Sequence, residues 1–176
     1  YFGRVQQMKR PLQTIEAVSS VRSDELHLIM VGPCEGITEQ ALQSRAAEVG
    51  LDNFHYVGPV YDQSKYDFMF ASDAYVSFSI RENFNHTAAE SLSAGLPVLL
   101  SQGNDLAAEV VGAGAGWYLS EDGLQPFKKA IESFMATELT ELLTMGNAGR
   151  DLVKRSFSFE TFRGRLVELI NCYGRG

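Results

Sequence analysis

Short apolar runs alternate with amphipathic stretches along the first two thirds of this chain, and that alternation constrains its fold more than any other feature. The runs lie at residues 1–2, 26–31, 54–57, 74–78, 97–100 and 116–119. Between them, apolar residues recur at helical spacing over 11–21, 38–49, 63–70, 87–94 and 106–111. Strands separated by helices pair in parallel, because a parallel neighbour needs a long crossover and a helix supplies it. The runs are apolar on both faces, as a sheet covered on both sides requires. The pattern predicts an α/β fold, a doubly wound parallel sheet of about six strands with helices on both faces. After residue 119 the pattern changes. Residues 124–135, 138–155 and 159–173 all read as helices, so the C-terminus is helical. Pro11 suits a first helical position. Gly50 and Gly95 fall just past helix ends, where positive φ caps the last turn.

The chain has 176 residues, enough for one domain with a full core. No internal repeat, low-complexity tract or long linker divides it. Its formal charge of −7 disfavours nucleic acid as a partner, which would call for a basic surface. No apolar run approaches the roughly 18 residues of a membrane span. No signal peptide is visible, and the chain opens at Tyr1 rather than Met, so it reads as a piece of a longer protein. Cys34 and Cys172 follow no metal or redox spacing and read as reduced, which fits a cytoplasmic location. His27, His55 and His86 are dispersed, and no Asp-x-Asp pair occurs, so no dedicated metal site is evident.

The stretch SIRENFNHTAAESLSAGLPV, residues 79–98, carries the chemistry. It reads as the end of a strand, a polar loop, a helix and the start of another strand. Glu82 lies in the loop, and Glu90 lies inside the helix with seven residues between them. A helix that opens after a polar loop presents free N–H groups and the positive end of its dipole, a natural phosphate site. The two carboxylates suit hydroxyls instead. Phosphate beside hydroxyls describes a nucleotide sugar. In an open parallel sheet, ligands bind at the carboxyl ends of the strands. That edge would hold Gly3, Arg4 and Lys9 after the first strand, the loop GPCEG at 32–36 after the second, and residues 82–85. Two cations and a helix dipole there could stabilise a leaving diphosphate. Each element also has a plainer reading: Arg4 and Lys9 as solvated charges, Glu82 as a surface loop residue, Glu90 as an exposed helix residue. Their joint placement on one edge carries the argument.

These residues resemble the E-x7-E signature of the family 4 (group 1) retaining glycosyltransferases, whose GT-B arrangement holds two Rossmann-like domains. The resemblance runs in order along nearly the whole chain. YFGRV at 1–5 with Lys9 resembles the family's F-x-G-R-x4-K opening, and LIMVGP at 28–33 its strand ending in Val-Gly. Residues 54–60 resemble its F-x-G-x-V segment. SDAYVSFS at 72–79 resembles its A-D-v-x-v-x-P-S strand, with Phe78 where proline is usual, and AGLPV at 94–98 its G-x-P-V strand. The last third is similar to the C-terminal helices that cross back toward the partner domain.

The resemblance implies one Rossmann-like half of a GT-B fold over 1–176, the donor-binding domain, with the N-terminal acceptor domain absent from this chain. It implies that Arg4 and Lys9, beside Gly3, contact the donor diphosphate. Glu82 would contact the donor sugar, and Glu90 would accept hydrogen bonds from the ribose hydroxyls. Val57, Gly58 and Val60 would lie near the base, and Asn83, Phe84, Asn85, His86 and Thr87 would line the donor pocket. Glu82, Arg4 and Lys9 would be the catalytic group. The implied donor is a nucleotide-diphosphate sugar, transferred with retention and without an essential metal. The acceptor, a sugar or lipid-linked sugar, and any peripheral membrane contact would belong to the missing half.

Two departures stand out. Asn83 and Asn85 replace glycines of the family's E-G-F-G. Asn tolerates left-handed backbone better than most residues, so the loop shape is expected to survive while the two side chains re-dress the sugar pocket and alter donor choice. Asn104-Asp105 replaces a Gly-Gly pair that often precedes a glutamate, here Glu109. A nucleotide-sugar epimerase of the same fold, or a binding module that has lost catalysis, remain the alternatives.

Overall fold

The computed structural model describes residues 1–173. Every strand pairing in it is parallel. β1 (Leu28–Val31) pairs with β2 (Phe54–Gly58), with Leu28 opposite Phe54 and Met30 opposite Tyr56. β4 (Val98–Ser101) lies between β3 (Tyr75–Ser77) and β5 (Gly116–Leu119).

The first apolar run takes its place beside β1 but is not a regular strand, which corrects the expectation for residues 1–2. The Tyr1 nitrogen donates to the Ile29 carbonyl, Val31 N–H to the Tyr1 carbonyl and Gly3 N–H to the Val31 carbonyl, each at 2.9 Å. Two isolated bridges, Phe2 to Val31 and Val5 to Cys34, complete the pairing. The reason lies in the chain immediately after it. Gly3 turns at φ +139°, and a 3-10 turn follows at Gln7–Lys9. Among the described residues, five regular strands in two parallel groups, with the 1–3 segment against β1, therefore stand where about six were expected.

The sheet is covered on both faces, and side-chain alternation decides which residue faces which layer. Tyr1, Met30, Phe54, Phe78, Leu99 and Leu119 face α1 (Pro11–Val21), α2 (Glu39–Val49) and α6 (Leu124–Met135) through Ile15, Val18, Leu42, Phe127 and Ile131. Val31, Tyr75, Val98 and Leu100 face the other way. They meet α3 (Asp62–Phe70), α4 (His86–Ala94), α5 (Ala107–Ala113) and α7 (Leu139–Ser156) through Met69, Leu92, Val110 and Leu152. Leu99 thus belongs to one core, and its neighbours Val98 and Leu100 to the other. Each buried side chain of this size contributes roughly 1.5–3 kcal/mol. Stacked Phe78 and Phe127 rings, 4.0 Å apart, join β3's end to α6. α8 (Phe159–Tyr173) follows α7 and buries none of its side chains.

Candidate functional site

All the candidate loops lie at the carboxyl ends of the strands. Two glycines let them approach one another. A Cβ on Gly32 would sit 1.9 Å from the Gly3 carbonyl oxygen, and one on Gly103 would sit 2.1 Å from that of Ile80. Backbone bonds then join the loops. Gly32 N–H donates to Gly58 O (2.9 Å), Ile80 N–H to Met8 O (2.9 Å) and Glu82 N–H to Gly103 O (2.6 Å). Glu82 and Asn104 form an isolated parallel bridge, so the glutamate loop is pinned to the loop after β4.

α4 begins at His86, with Asn85 as its N-cap. The Asn85 amide oxygen accepts from Ala88 N–H at 3.1 Å, and the amide nitrogen donates to Ser77 Oγ (3.1 Å) and Asn104 Oδ1 (2.8 Å). No partner is recorded for the His86 and Thr87 N–H groups among the described residues. They are the donors that an anion at this helix start would meet. Neither Asn83 nor Asn85 has positive φ, and Asn85 is 3% exposed. The expected left-handed backbone is therefore absent. Asn85 turns inward, because an N-cap oxygen and a buried amide partner hold it more firmly than a pocket lining would. Asn83, Phe84 and His86 remain exposed.

Asn104, noted in the sequence only as a departure from glycine, is the centre of a buried polar cluster. Its amide nitrogen donates to the Ser77 carbonyl (3.3 Å), the Ser101 carbonyl (3.2 Å) and Ser101 Oγ (3.2 Å). Ser101 Oγ donates to the Ser79 carbonyl at 2.6 Å, and Ser79 Oγ to Glu82 Oε1 at 2.9 Å. A continuous chain of polar contacts therefore runs from the α4 N-cap to the Glu82 carboxylate. Short polar residues at strand ends gave no sign of this in the sequence, because their partners lie in other loops.

Each glutamate of the E-x7-E spacing also has its own lysine. Lys9, closing the 3-10 turn, pairs with Glu82 Oε1, and Lys65 of α3 pairs with Glu90 Oε2. The first pair is well shielded, with side chains 20% and 14% exposed. Lys65 lies 25 positions before Glu90 on a short, largely exposed helix, so nothing in the sequence marks it. Among the described residues no side-chain contact joins Arg4 to Lys9. Arg4 pairs with Glu35 of the 32–36 loop at 3.1 Å and is 58% exposed. Such a surface pair is weak and exchangeable. The Tyr1 hydroxyl donates to the Arg4 carbonyl at 2.8 Å. Burial pushes that phenol well above its ordinary range, with the charges of Tyr75 and Glu82 adding to the effect, so it remains a neutral donor.

At the neighbouring strand end, Val57 is exposed, Gly58 is buried and Val60 is partly buried. The Tyr56 hydroxyl donates to the Gly32 carbonyl at 2.8 Å and lies 3.1 Å from Cys34 Sγ. Phe84 packs edge-on against His86 (4.9 Å) and Phe157 (5.2 Å), linking the glutamate loop to the end of α7. A cavity of about 900 Å³ lies at the opposite, amino end of the sheet and is lined by none of the candidate residues. Among the described residues, no three His, Cys, Asp or Glu side chains cluster as a metal site would require.

Solved glycosyltransferase structures share this architecture. HepE of Anabaena in complex with UDP superposes over 97% of this chain and 47% of its own, at 19% identity and a TM-score of 0.83. Sucrose-phosphate synthase of Thermosynechococcus elongatus covers 97% of this chain at 21% identity and a TM-score of 0.81. The C-terminal domain of LpcC, a group 1 family protein of Francisella tularensis, covers 90% of this chain and 84% of its own, at 17% identity and a TM-score of 0.77. The chain spans 40% of WaaG, a glycosyltransferase of lipopolysaccharide biosynthesis, and 44% of the sucrose-phosphate synthase. These likenesses identify one Rossmann-like half of a GT-B fold. No curated protein matches the chain. The family described as glycosyl transferases group 1 matches residues 1–152, and the chain belongs to that family.

Proposed function

We propose that this chain is the donor-binding domain of a retaining glycosyltransferase, holding a nucleoside-diphosphate sugar at the carboxyl edge of its sheet. One observation carries the reading: the Glu82–Lys9 pair and the open start of α4 lie at that edge, with the Glu90–Lys65 pair one turn into α4. Helix-start N–H groups suit a diphosphate, and carboxylates suit the hydroxyls of sugar and ribose. HepE is described in complex with UDP and with UDP and glucose, and a trehalose-6-phosphate synthase with UDP-2-fluoro glucose. Those are the ligand classes proposed here.

In this reading His86 and Thr87 N–H, Lys9 and Arg4 meet the diphosphate. Arg4 exchanges Glu35 for phosphate. Lys9 has three donors, so it can hold Glu82 and still face the leaving group, where fixed positive charge stabilises the departing diphosphate. Glu82 holds the transferred sugar, and Glu90 holds the ribose. Val57, Gly58 and Val60 border the base. Asn85 acts through the α4 N-cap rather than by touching donor. The acceptor, in polysaccharide or glycoconjugate synthesis, would be held by an N-terminal domain. Turnover would then require both halves, and the charge of the diphosphate would need no bound metal. Among the described residues no helix is long and apolar enough to cross a membrane. We place the reaction in the cytoplasm because Cys34 and Cys172 carry no disulfide, which suits a reducing compartment.

Amide NMR of the labelled chain tests the site. Adding UDP, GDP, ADP or dTDP should shift the His86 and Thr87 amides together with those of the 3–9 loop. Shifts confined to the amino end of the sheet would contradict the assignment.

A further inference from the structure

From the Lys65–Glu90 pair we infer that Lys65 is a positioning residue that fits Glu90 to read the two ribose hydroxyls of the donor nucleotide. The inference rests on the donor-domain reading and adds to it a residue that neither the spacing nor the family pattern indicates.

The geometry begins with α3. The chain leaves β2 through Gly58 at φ +81° and enters α3 with Asp62 at φ +53°, a left-handed residue at a helix start. This turn sets α3 beside α4, where Lys65, one turn into α3, meets Glu90 Oε2. α3 buries only Met69 among its described residues, so its position owes little to a core. Its cation nevertheless pairs with a carboxylate one turn beyond the α4 start.

An ionised carboxylate offers about four lone-pair sites on two oxygens. With Oε2 held by Lys65, the remaining sites are presented in a fixed direction, as acceptance from a vicinal diol requires. A free glutamate on a helix would divide its time among staggered rotamers. The pair has a second consequence. Glu90 lies one turn past the N–H groups proposed to hold the diphosphate, where an uncompensated carboxylate would repel that anion. Lys65 offsets the charge while leaving the acceptor atoms in place. The two side chains are 28% and 35% exposed, so a ligand can reach the carboxylate without the pair opening.

The plainer alternative is that Lys65 merely ties α3 to α4. The two roles differ in what they move. A tie affects thermal stability alone, whereas positioning affects the preference for a ribose diol. The experiment is calorimetric titration of the chain with UDP, GDP and ADP, each against its 2′,3′-dideoxy form, for wild type, Lys65→Met, Lys65→Arg, Glu90→Gln and the Lys65→Met/Glu90→Gln double variant. Wild type should favour the diol form of its nucleotide by about tenfold or more, the scale of a hydrogen bond to a charged group. Lys65→Met should lose most of that ratio, Lys65→Arg should keep it, and adding Glu90→Gln to Lys65→Met should remove little more. A ratio unchanged in Lys65→Met but collapsed in Glu90→Gln would overturn the role of Lys65 and leave the site intact. Binding by wild type with no diol preference would overturn it through Glu90 while sparing the nucleotide site. Absence of binding by any of the three ribonucleotides would overturn this inference, and absence of dTDP binding as well would overturn the donor-domain reading with it.

Discussion

The two carboxylates of the central motif sit in different surroundings, and this should separate their mutational effects. Glu82 is 14% exposed and held by Lys9 and Ser79, whereas Glu90 sits on an open helix face with Lys65. Glu90→Ala should weaken binding of every nucleoside diphosphate that the chain accepts, by about tenfold or more. Glu82→Ala should spare the bare diphosphate and weaken only the intact sugar donor. Calorimetry with both ligands checks this, and loss of bare diphosphate binding in Glu82→Ala would reverse its assigned role. Lys9→Ala and Arg4→Ala should each cost roughly 1.5–3 kcal/mol of diphosphate binding. Arg4 should fall at the lower end, because it is exposed and already has Glu35. At this scale the sequence was informative about ionised residues and blind to their partners. Glu82, Glu90, Arg4 and Lys9 could be read from spacing and edge position. Lys65 and Asn104 could not, since contacts across 25 and 19 positions leave no local pattern.

Among the elements, α4 carries most of the site, and its cap is the place to disturb it. Asn85→Ala removes the N-cap bond, worth about 1 kcal/mol, and leaves Asn104 Oδ1 without its recorded donor, worth a further 1–3 kcal/mol or so. Denaturant unfolding should register both losses. Asn85→Ser, which restores a cap oxygen, should recover only the first. Gly32→Ala should destabilise by about 2 kcal/mol or more, since its Cβ would meet the Gly3 carbonyl on backbone at φ +141°. The elements themselves were legible. Apolar period and glycine or proline punctuation located α1, α6 and the start of α8 to the residue and the bounds of the other α-helices to within one or two. The exception, residues 1–2, failed as a strand for a local reason: its continuation is a left-handed glycine and a 3-10 turn rather than more extended chain. The N-cap role of Asn85 was obscured because the same residue type serves both left-handed turns and caps.

Across the whole molecule, long-range polar ties close the fold at the site's edge. Arg10 of the 3–10 loop forms a two-bond pair with Asp122, at 2.8 and 3.0 Å, and lies over the Phe127 ring. Hydrogen bonding from Arg10 holds the Asp122 carboxyl below its ordinary value of 3.8. A carboxylate depressed in the folded state stabilises above its unfolded pKa, and the contribution disappears as pH falls through the folded value. Unfolding followed from pH 5 downward should therefore show a steeper loss below about pH 4 in wild type than in Asp122→Asn. Equal slopes would remove this pair from the acid response. α8 exposes Phe162, Leu166, Leu169 and Ile170 along its length, and the family resemblance leads us to expect an N-terminal domain against it. The central claim, however, concerns the edge of the sheet and is tested most directly on this chain alone. Calorimetric titration with UDP, GDP, ADP and dTDP, with and without EDTA, should show one preferred nucleotide bound equally well in both conditions and weakened by Glu90→Ala. No binding of any nucleotide, or binding abolished by EDTA, would contradict the account.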